Sequence, residues 1–316
     1  MIEHYIRGFE EELREIRHQI HENPELGLQE FKTSALVAEK LRQWGYEVEQ
    51  GLATTGVVAT LKVGDGEKSI GLRADMDALP IYENSGKPWA SKHPGLMHAC
   101  GHDGHTTILL GAARYFAETR RFNGTLRLIF QPAEEMINGG EIMVKEGLFD
   151  RFPCDVIFGM HNMPGLPVGK FYFQPGALMA SMDQFHITVR GCGGHGAIPH
   201  KAIDPVLVAA HITTALQSIV SRNVDPLEAA VITVGSIVAG EAANVIPDSA
   251  EMKISVRSLS RDTRQLLLTR IPALAQAQAA SFGATAEVTH VNGTPVLVND
   301  EEMARFAWQV ACKTFG

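Results

Sequence analysis

Apolar residues recur along this chain at two spacings, and these spacings predict its elements. An apolar residue at every third or fourth position predicts amphipathic helices over residues 2–21 and 31–44. Short apolar runs bounded by turn residues predict strands at residues 57–63, 69–73, 125–130 and 155–160. Because helices alternate with strands, the pattern predicts an α/β fold with a mixed, mostly parallel sheet.

The pattern changes near residue 182. Strands are predicted at 183–190, 230–238, 251–257 and 285–291, and helices at 203–221 and 263–282. The resulting β-α-β-β-α-β order is that of a ferredoxin-like unit. We therefore predict a first domain over 1–181, a compact α+β domain inserted into it over 182–293, and a return to the first domain over 294–316, with a helix at 299–315.

Composition and charge restrict the class of protein. The chain has 316 residues, of which 45% are apolar and 20% charged, with a formal net charge of −8. These values predict a soluble globular protein with an ample core, and the lack of a basic stripe predicts no nucleic-acid partner. We see no signal-peptide pattern and no apolar run that could span a membrane. The four scattered cysteines favour a reducing cytoplasm: Cys100, Cys154, Cys192 and Cys312.

Residues 97–107 read MHACGHDGHTT and concentrate side chains that bind metals. In an extended segment, Cys100 and His102 would face the same side, and Gly101 between them allows a close turn. The spacing becomes helical after Asp103, so we expect Asp103 or Thr106 to cap a helix. The alternative interpretation is a polar loop that contains a buried cysteine.

Three predicted strands are followed by further candidate ligands. Asp75 and Asp77 follow the strand at 69–73, and Glu134 and Glu135 follow the strand at 125–130. One of the two glutamates could bind metal while the other acts on a water. His161 ends the strand at 155–160. Taken singly, each group could instead be a solvated turn, an exposed acidic loop or a structural histidine.

The predicted inserted domain carries polar residues of its own. His195 lies among glycines at residues 193–196, which would leave its ring exposed. Asn244 and Arg257 offer an amide and a guanidinium that suit a substrate carboxylate. The alternatives are an exposed histidine in a flexible turn and an arginine on the surface of a strand.

Six motifs in this order resemble the M20 metallopeptidase family. They are RADMDALP (73–80), MHACGHDGH (97–105), QPAEE (131–135), GMHN (159–162), GGHGAIPH (193–200) and NVIPD (244–248). The set is most similar to the amidohydrolase branch, which contains hippurate hydrolases, N-acyl-amino-acid deacetylases and auxin-conjugate hydrolases. The resemblance implies that the first domain is catalytic and that the inserted domain is a lid or dimerisation domain. It also implies two divalent ions per subunit (Zn, Mn, Co or Ni) and a homodimer or higher oligomer formed through the lid.

The resemblance also implies a role for each matching residue. It implies four metal ligands: Cys100, His102, Glu135 and His161. Glu134 corresponds to the general base, and Asp77 to the acid that supports the site. His195 corresponds to the lid histidine that polarises the substrate carbonyl. Asn244 and Arg257 correspond to the residues that hold the substrate carboxylate. Asp75 falls where other branches place a histidine ligand, so it is not assigned as one.

The resulting hypothesis is metal-dependent hydrolysis of the amide bond in a small N-acyl amino acid, which releases a carboxylic acid and an amino acid. A dipeptidase or aminoacylase of the same family is the nearest alternative. Related chains are expected to continue beyond the position of Gly316 and to supply a further histidine ligand there. A non-catalytic metal-binding or oligomerisation scaffold therefore also stays open.

Overall fold

The computed structural model describes residues 2–135 and 138–316. The chain forms two compact units, Met1–Val168 and Gly169–Gly316, and each has a hydrophobic core of its own. Among the described residues, no helix is long and apolar enough to cross a membrane.

The first unit combines helices with a single sheet. Its described helices are α1 (Ile2–Arg7), α2 (Glu10–Glu22), α3 (Phe31–Gln43), α4 (His102–Thr119), α5 (Gly139–Lys145) and α6 (Leu148–Arg151). Its described strands are β1 (Glu47–Leu52), β2 (Gly56–Val63), β3 (Ser69–Asp75), β4 (Gly124–Gln131) and β5 (Val156–Gly159).

The sheet of the first unit is mixed, with strand order β1-β2-β4-β3-β5. Strand β3 pairs in parallel with both β4 and β5, whereas β1 with β2 and β2 with β4 are antiparallel. The predicted α/β class and mixed sheet are confirmed, and the parallel part consists of the three strands that precede candidate ligands. Strand β1 was not predicted, because it is a half-exposed edge with few apolar residues.

Alternate residues of the strands face two different cores. Val57 of β2 packs with Leu41 of α3 and Leu110 of α4 in the larger core. The next residue, Val58, packs on the other face with Met143 of α5. Fully burying a side chain such as Leu110 contributes about 1.5–3 kcal/mol. The sheet is therefore covered on both faces, and α4 is fixed against it by burial.

The predicted helix over residues 2–21 is divided in two. Helix α1 ends at Arg7, and α2 begins at Glu10. At the break, Gly8 N and Phe9 N donate to carbonyls three residues back, each at 3.1 Å. Glycine is among the weakest helix formers, so Gly8 interrupts the helix. The apolar spacing nevertheless continues across the break, and for this reason it predicted a single helix.

His21 links the C-terminal end of α2 to the first turn of α4. Its Nδ1 lies 3.0 Å from Asp103 Oδ2, and its Nε2 lies 3.4 Å from Glu83 Oε1. Arg17 Nε donates to the same oxygen of Asp103 at 3.0 Å. The hydrogen bond with Asp103 raises the pKa of His21, although partial burial lowers it. The folded state therefore favours the charged form of His21.

We expect His21→Gln to lower the free energy of unfolding by about 1–2 kcal/mol below pH ~6.5, and by less at higher pH. A pKa that is raised on folding stabilises the protein fully below the unfolded pKa, and this stabilisation is lost as pH rises through the folded pKa. Urea unfolding near pH 6 and near pH 9 at constant metal measures the effect. His18→Gln, one turn earlier in α2, is the control. An equal loss at both pH values would contradict the prediction.

The second unit contains more described strands than the first unit. Its strands are β6 (Gly176–Met179), β7 (Met182–Arg190), β8 (Gly194–His195), β9 (Ala230–Val238), β10 (Val245–Ile246), β11 (Ser249–Ser258), β12 (Thr285–Thr294) and β13 (Leu297–Asn299). Its helices are α7 (Pro205–Arg222), α8 (Arg261–Ser281) and α9 (Glu301–Phe315), with a short 3-10 helix at Pro199–Lys201.

Four of these strands form an antiparallel sheet in the order β12-β7-β11-β9. Taken with α7 and α8, the elements follow the chain as β-α-β-β-α-β, so the predicted ferredoxin-like unit is confirmed. Alternate residues of β7 and β11, such as Phe185 and Ile254, share one core with Ile212 of α7 and Ile271 of α8.

The boundaries of the two compact units differ from the predicted domain boundaries. Residues 169–181 and 294–316 both fall in the second unit. There, β13 pairs with β6 in an antiparallel ribbon outside the four-stranded sheet. The division into 1–181, 182–293 and 294–316 rests on the sequence pattern and stays a prediction.

Candidate metal centre

The parallel strands of the first unit end at one edge of the sheet. Because β4, β3 and β5 are neighbours with the same direction, their carboxyl ends lie side by side. Each end leads into candidate ligands, which are Asp75 and Asp77 at β3, Glu134 and Glu135 after β4, and His161 after β5. Helix α4 begins at the same edge and brings Cys100 and His102 to it.

Helix α4 begins at His102 after a sharp turn. Its N-cap residue is Gly101, which has a left-handed φ of 95°, and no side chain of the described residues caps the helix. The prediction that Asp103 or Thr106 caps α4 is therefore wrong. Both side chains lie inside the first turn, where Asp103 bonds to α2 and Thr106 Oγ1 donates to the Asp75 carbonyl at 2.8 Å.

Gly101 is required at this turn for two reasons. Its φ is unfavourable for other residues, and a Cβ there would overlap the side-chain amide of Asn162. The turn leaves Cys100 Sγ 3.4 Å from His161 Nε2. The candidate ligand atoms of Cys100, His102 and His161 lie within 4.8 Å of one another, so they can share one ion.

His102 is fully buried at the centre of the site. Its Nε2 lies 3.6 Å from Asp75 Oδ2 and 3.8 Å from Glu135 Oε1. Burial by itself lowers the pKa of His102, but hydrogen bonds with Asp77 and Cys100 and the charges of the two aspartates raise it to about 11. The surroundings of the His102 ring therefore favour a positive charge at this position.

Asp77 connects two of the candidate ligands. One oxygen, Oδ1, lies 3.2 Å from His102 Nδ1, and the other accepts a hydrogen bond from Glu135 N at 3.0 Å. In a neutral imidazole, a proton shared with Asp77 at Nδ1 leaves the lone pair on Nε2. Carboxylates orient metal-binding histidines in this way, so the geometry fits the supporting role predicted for Asp77.

The turn after β4 gives its two glutamates different environments. The candidate ligand atoms of His102, Glu134 and Glu135 lie within 4.8 Å of one another. Glu135 is half-buried and fixed through its backbone, whereas Glu134 is more exposed. Partial desolvation of its carboxyl group and the negative charge of Glu135 raise the pKa of Glu134. A carboxyl with a raised pKa is suited to accept a proton and return it.

Glu30 supports this turn and was missed by the sequence analysis. It is fully buried; its Oε1 accepts from Ala133 N at 2.8 Å and its Oε2 accepts from Thr55 Oγ1 at 2.5 Å. Ala133 has a left-handed φ of 50°, which a non-glycine residue adopts only when its surroundings impose it. Glu30 therefore fixes the residue that precedes Glu134. No feature of the sequence distinguishes Glu30 from a surface acid.

His105 also reaches the site, although neither its spacing nor the resemblance predicted a role for it. The candidate ligand atoms of Asp75, His102 and His105 lie within 4.8 Å of one another. Residues three apart in a helix share a face, so the spacing of His102 and His105 could have indicated this placement.

The donors at this edge fit divalent transition metals. His102 Nε2 and Glu135 Oε1 are buried and have no hydrogen-bond partner among the described residues. An unpaired buried polar atom costs about 1–3 kcal/mol, and a cation placed between these two would satisfy both. Thiolate, imidazole and carboxylate together suit Zn, Co, Ni or Mn.

In the second unit, His195 ends β8, and Asn244 directly precedes β10, the strand that pairs with β8. His195 pairs with the residue after Asn244, and Gly196 N donates to the Asn244 carbonyl at 2.8 Å. His195 is exposed, and its Nδ1 accepts from Ala197 N at 3.0 Å. In the neutral ring the proton is therefore on Nε2, which is left to donate to a ligand.

Arg257 does not lie with these two residues within the chain. It is exposed near the far end of β11, which starts at Ser249, three residues after β10 ends. At about 3.3 Å per residue, the strand separates Arg257 from its first residue by roughly 26 Å. The role of Arg257 in binding a substrate carboxylate stays a prediction.

Comparison with known families and proteins agrees with the site. Residues 71–316 match peptidase family M20/M25/M40. The hippurate hydrolase of Campylobacter jejuni subsp. jejuni is 50% identical over 305 residues, which are 96% of this chain and 79% of that protein. The N-acetyl-L-cysteine deacetylase of Bacillus subtilis is 41% identical over 305 residues, which are 96% of this chain and 73% of that protein.

A solved structure shows the same fold. The crystal structure of the YXEP protein of Bacillus subtilis, described as a dinuclear metal-binding peptidase from the M20 family, matches with a TM-score of 0.82 at 36% sequence identity. The match covers 97% of this chain and 80% of that one. The chain belongs to peptidase family M20/M25/M40 and is a metal-dependent amidohydrolase of that family.

Proposed function

We propose that this protein hydrolyses the amide bond of N-acyl amino acids, either hippurate-like or N-acetylated, and releases a carboxylic acid and an amino acid. The observation that carries the proposal is the pair of glutamates after β4. Glu135 is fixed through its backbone and directs a buried oxygen at the ligand cluster, while Glu134 is exposed beside it. The names of the two relatives, a hippurate hydrolase and an N-acetyl-L-cysteine deacetylase, support this substrate class.

The candidate ligands would hold two divalent ions, Zn, Mn, Co or Ni. The four assigned ligands are Cys100, His102, Glu135 and His161. Their candidate ligand atoms fall into two groups that share His102, and the atoms of each group lie within 4.8 Å of one another. Bound there, such ions supply a Lewis acid that polarises the substrate carbonyl and lowers the pKa of a water.

The chain's own residues move the proton. Glu134 accepts a proton from the attacking water and later returns it to the leaving amine. Asp77 keeps Glu135 and His102 in place through one carboxylate, so that Glu134 alone of the two glutamates is left for proton transfer. The raised pKa of Glu134, caused by partial desolvation of its carboxyl group and by the negative charge of Glu135, makes it a stronger base toward the attacking water.

Residues of the second unit would bind the substrate. His195 would donate its Nε2–H to the oxygen of the amide carbonyl as negative charge develops there. Asn244 and Arg257 would hold the substrate carboxylate through amide and guanidinium donors. The hydrogen bond from Ala197 N to His195 Nδ1 supports the role of His195, because it leaves the ring proton on the exposed nitrogen.

His195→Ala is expected to lower kcat by about 10²- to 10³-fold, the usual cost of removing one donor to a developing oxyanion. Metal content should stay unchanged, because His195 is not an assigned ligand. Steady-state kinetics together with metal analysis measure both quantities. His200→Ala, which removes another exposed histidine from the same segment, is the control. A variant with unchanged kcat would remove His195 from the mechanism.

A substrate panel tests the proposed function. N-benzoyl and N-acetyl amino acids and unmodified dipeptides would be offered to the protein with added Zn, Mn, Co or Ni. Hydrolysis of N-acyl amino acids with little turnover of dipeptides is the expected result. Preference for dipeptides would favour the dipeptidase alternative. Metal binding without hydrolysis of any amide would favour the non-catalytic scaffold.

We also propose that the chain forms a homodimer or higher oligomer through its second unit. Strand β9 lies at an edge of the four-stranded sheet and exposes Val231 and Val238. Unpaired edge strands favour pairing with another chain. Analytical ultracentrifugation of the protein and of Val238→Lys tests this; a monomeric wild-type protein would contradict it.

A further inference from the structure

Asp75, His105 and Asn162 form a hydrogen-bonded chain beside the candidate ligands, and the proposed mechanism does not use it. Asp75 Oδ1 lies 2.6 Å from His105 Nδ1, and Asn162 N donates to His105 Nε2 at 3.0 Å. Asp75 and His105 are both buried. Asn162 directly follows His161, so this series of hydrogen bonds connects the end of β3, through His105 of α4, to the assigned ligand His161.

The hydrogen bonds define the protonation of His105. A backbone N–H can only donate, so His105 Nε2 must present its lone pair to Asn162 N. The side-chain amide of Asn162 also lies against Nε2, but its two ends can exchange by rotation, whereas the backbone cannot. The ring proton is therefore on Nδ1 and is donated to Asp75. Both nitrogens of His105 are engaged, so this ring is not free to bind an ion.

Asp75 is held as the acceptor of that proton. Arg73 Nη1 donates to Asp75 Oδ2 at 2.7 Å, and Thr106 Oγ1 donates to its backbone carbonyl at 2.8 Å. One carboxylate oxygen of Asp75 therefore faces His105, and the other is held by a guanidinium.

The backbone of Asn162 connects His105 to His161 by two hydrogen bonds. Its N–H is bound by His105, and its carbonyl oxygen lies 2.6 Å from His161 Nδ1. A carbonyl only accepts, so His161 carries its proton on Nδ1 and presents the lone pair of Nε2 toward Cys100 Sγ. The side chain of Asn162 also packs against Gly101, between Cys100 and His102.

We propose that Asp75 and His105 are positioning residues, which hold the backbone of Asn162 and thereby fix the orientation in which His161 offers Nε2 to an ion shared with Cys100. The inference rests on the proposed function for its metal ligands. Under this proposal His105 is not a metal ligand, although its ring lies close enough to His102 and Asp75 to share an ion with them.

Three substitutions at His105 separate its two hydrogen bonds. A glutamine amide reaches about as far as Nε2 and can accept from Asn162 N, whereas an asparagine amide reaches only as far as Nδ1 and can bond to Asp75. We expect His105→Ala and His105→Asn to weaken cobalt binding by about 10- to 100-fold, the usual cost of losing an outer partner of a metal ligand. His105→Gln should keep most of the cobalt affinity of the wild-type protein. His186→Gln, on an exposed position of β7, is the control.

Cobalt affinity would be measured on the full chain by competition with a chelator, and the thiolate-to-cobalt absorption would report occupation of the site that contains Cys100. Thermal unfolding of the metal-free variants identifies any general loss of stability. Unchanged cobalt affinity in His105→Ala, or equal affinity in the Asn and Gln variants, would overturn the proposal. If His105→Ala does not fold, the comparison of Asn with Gln still decides it.

A second measurement needs no variant. Nitrogen NMR of the protein with labelled histidine reports which ring nitrogen carries the proton. His105 is expected to be protonated on Nδ1 and bare on Nε2, and a proton on Nε2 would overturn the proposal. These outcomes are separate from the proposed function. Failure of the wild-type protein to hydrolyse any amide would refute that function, while the cobalt affinities and the ring proton would still test the role of His105.

Discussion

Replacing Glu134 by glutamine is expected to lower kcat by about 10²- to 10⁴-fold, the range typical for loss of a general base. Glutamine keeps the size and hydrogen bonding of the side chain but cannot accept the proton of the attacking water. Two bound ions should remain, because Glu135 is the assigned ligand. The acid limb of the pH–rate profile, where protonation of Glu134 stops the reaction, should disappear with the carboxylate.

Glu135→Gln is the matched comparison, since it makes the same chemical change at the neighbouring residue. Its buried Oε1 lies 3.8 Å from His102 Nε2, so its loss should weaken metal binding as well as turnover. Metal analysis of both variants, together with kcat across pH, separates the two roles. If Glu134→Gln loses metal while Glu135→Gln keeps it, the assignment of base and ligand is reversed.

Most of the fold could be predicted because its periodicities are local. The β-α-β-β-α-β order of the second unit follows from alternation in strands such as β7 and apolar spacing in α7 and α8. Strand β1 and the break at Gly8 could not be predicted. β1 pairs at a half-exposed edge, and Gly8 interrupts a helix without interrupting the apolar spacing. Strand β1 depends on its pairing with β2, whereas the break at Gly8 reflects the weak helix propensity of glycine, which the apolar spacing does not register.

The candidate ligands could be predicted because they follow strands or occupy a dense motif. The residues that hold them could be predicted only in part. The resemblance indicated a supporting role for Asp77, whereas Glu30 is an ordinary acid in the sequence. Only the fold shows that Glu30 binds the turn before Glu134 and that Asp75 binds His105. The helix cap was predicted wrongly, because Gly101 replaces a side-chain cap by a left-handed turn that Asn162 covers. Such partners are distant in sequence, so no spacing indicates them.

Removal of metal is expected to reduce amide hydrolysis to background, and return of Zn, Co, Ni or Mn to restore it. The Lewis acid contributes several kcal/mol of transition-state stabilisation that no side chain of the site replaces. Removal should also lower the melting temperature, since a ligand at about 100 times its Kd stabilises the folded state by about 2.7 kcal/mol. Hydrolysis, metal content and thermal unfolding would be followed during chelation and reconstitution.

Cys100→Ser tests whether the ions needed for hydrolysis bind at the edge of the sheet where β3, β4 and β5 end. Serine replaces a soft thiolate by a weak oxygen donor, so affinity for Zn, Co and Ni should fall more than affinity for Mn, which accepts oxygen ligands readily. Cys154→Ser is the control, because Cys154 is a half-buried free cysteine in the same unit but belongs to none of the candidate ligand groups. Full hydrolysis by chelated protein with no measurable metal would contradict the metal-dependent mechanism. A wild-type metal affinity in Cys100→Ser would instead place the ions away from Cys100.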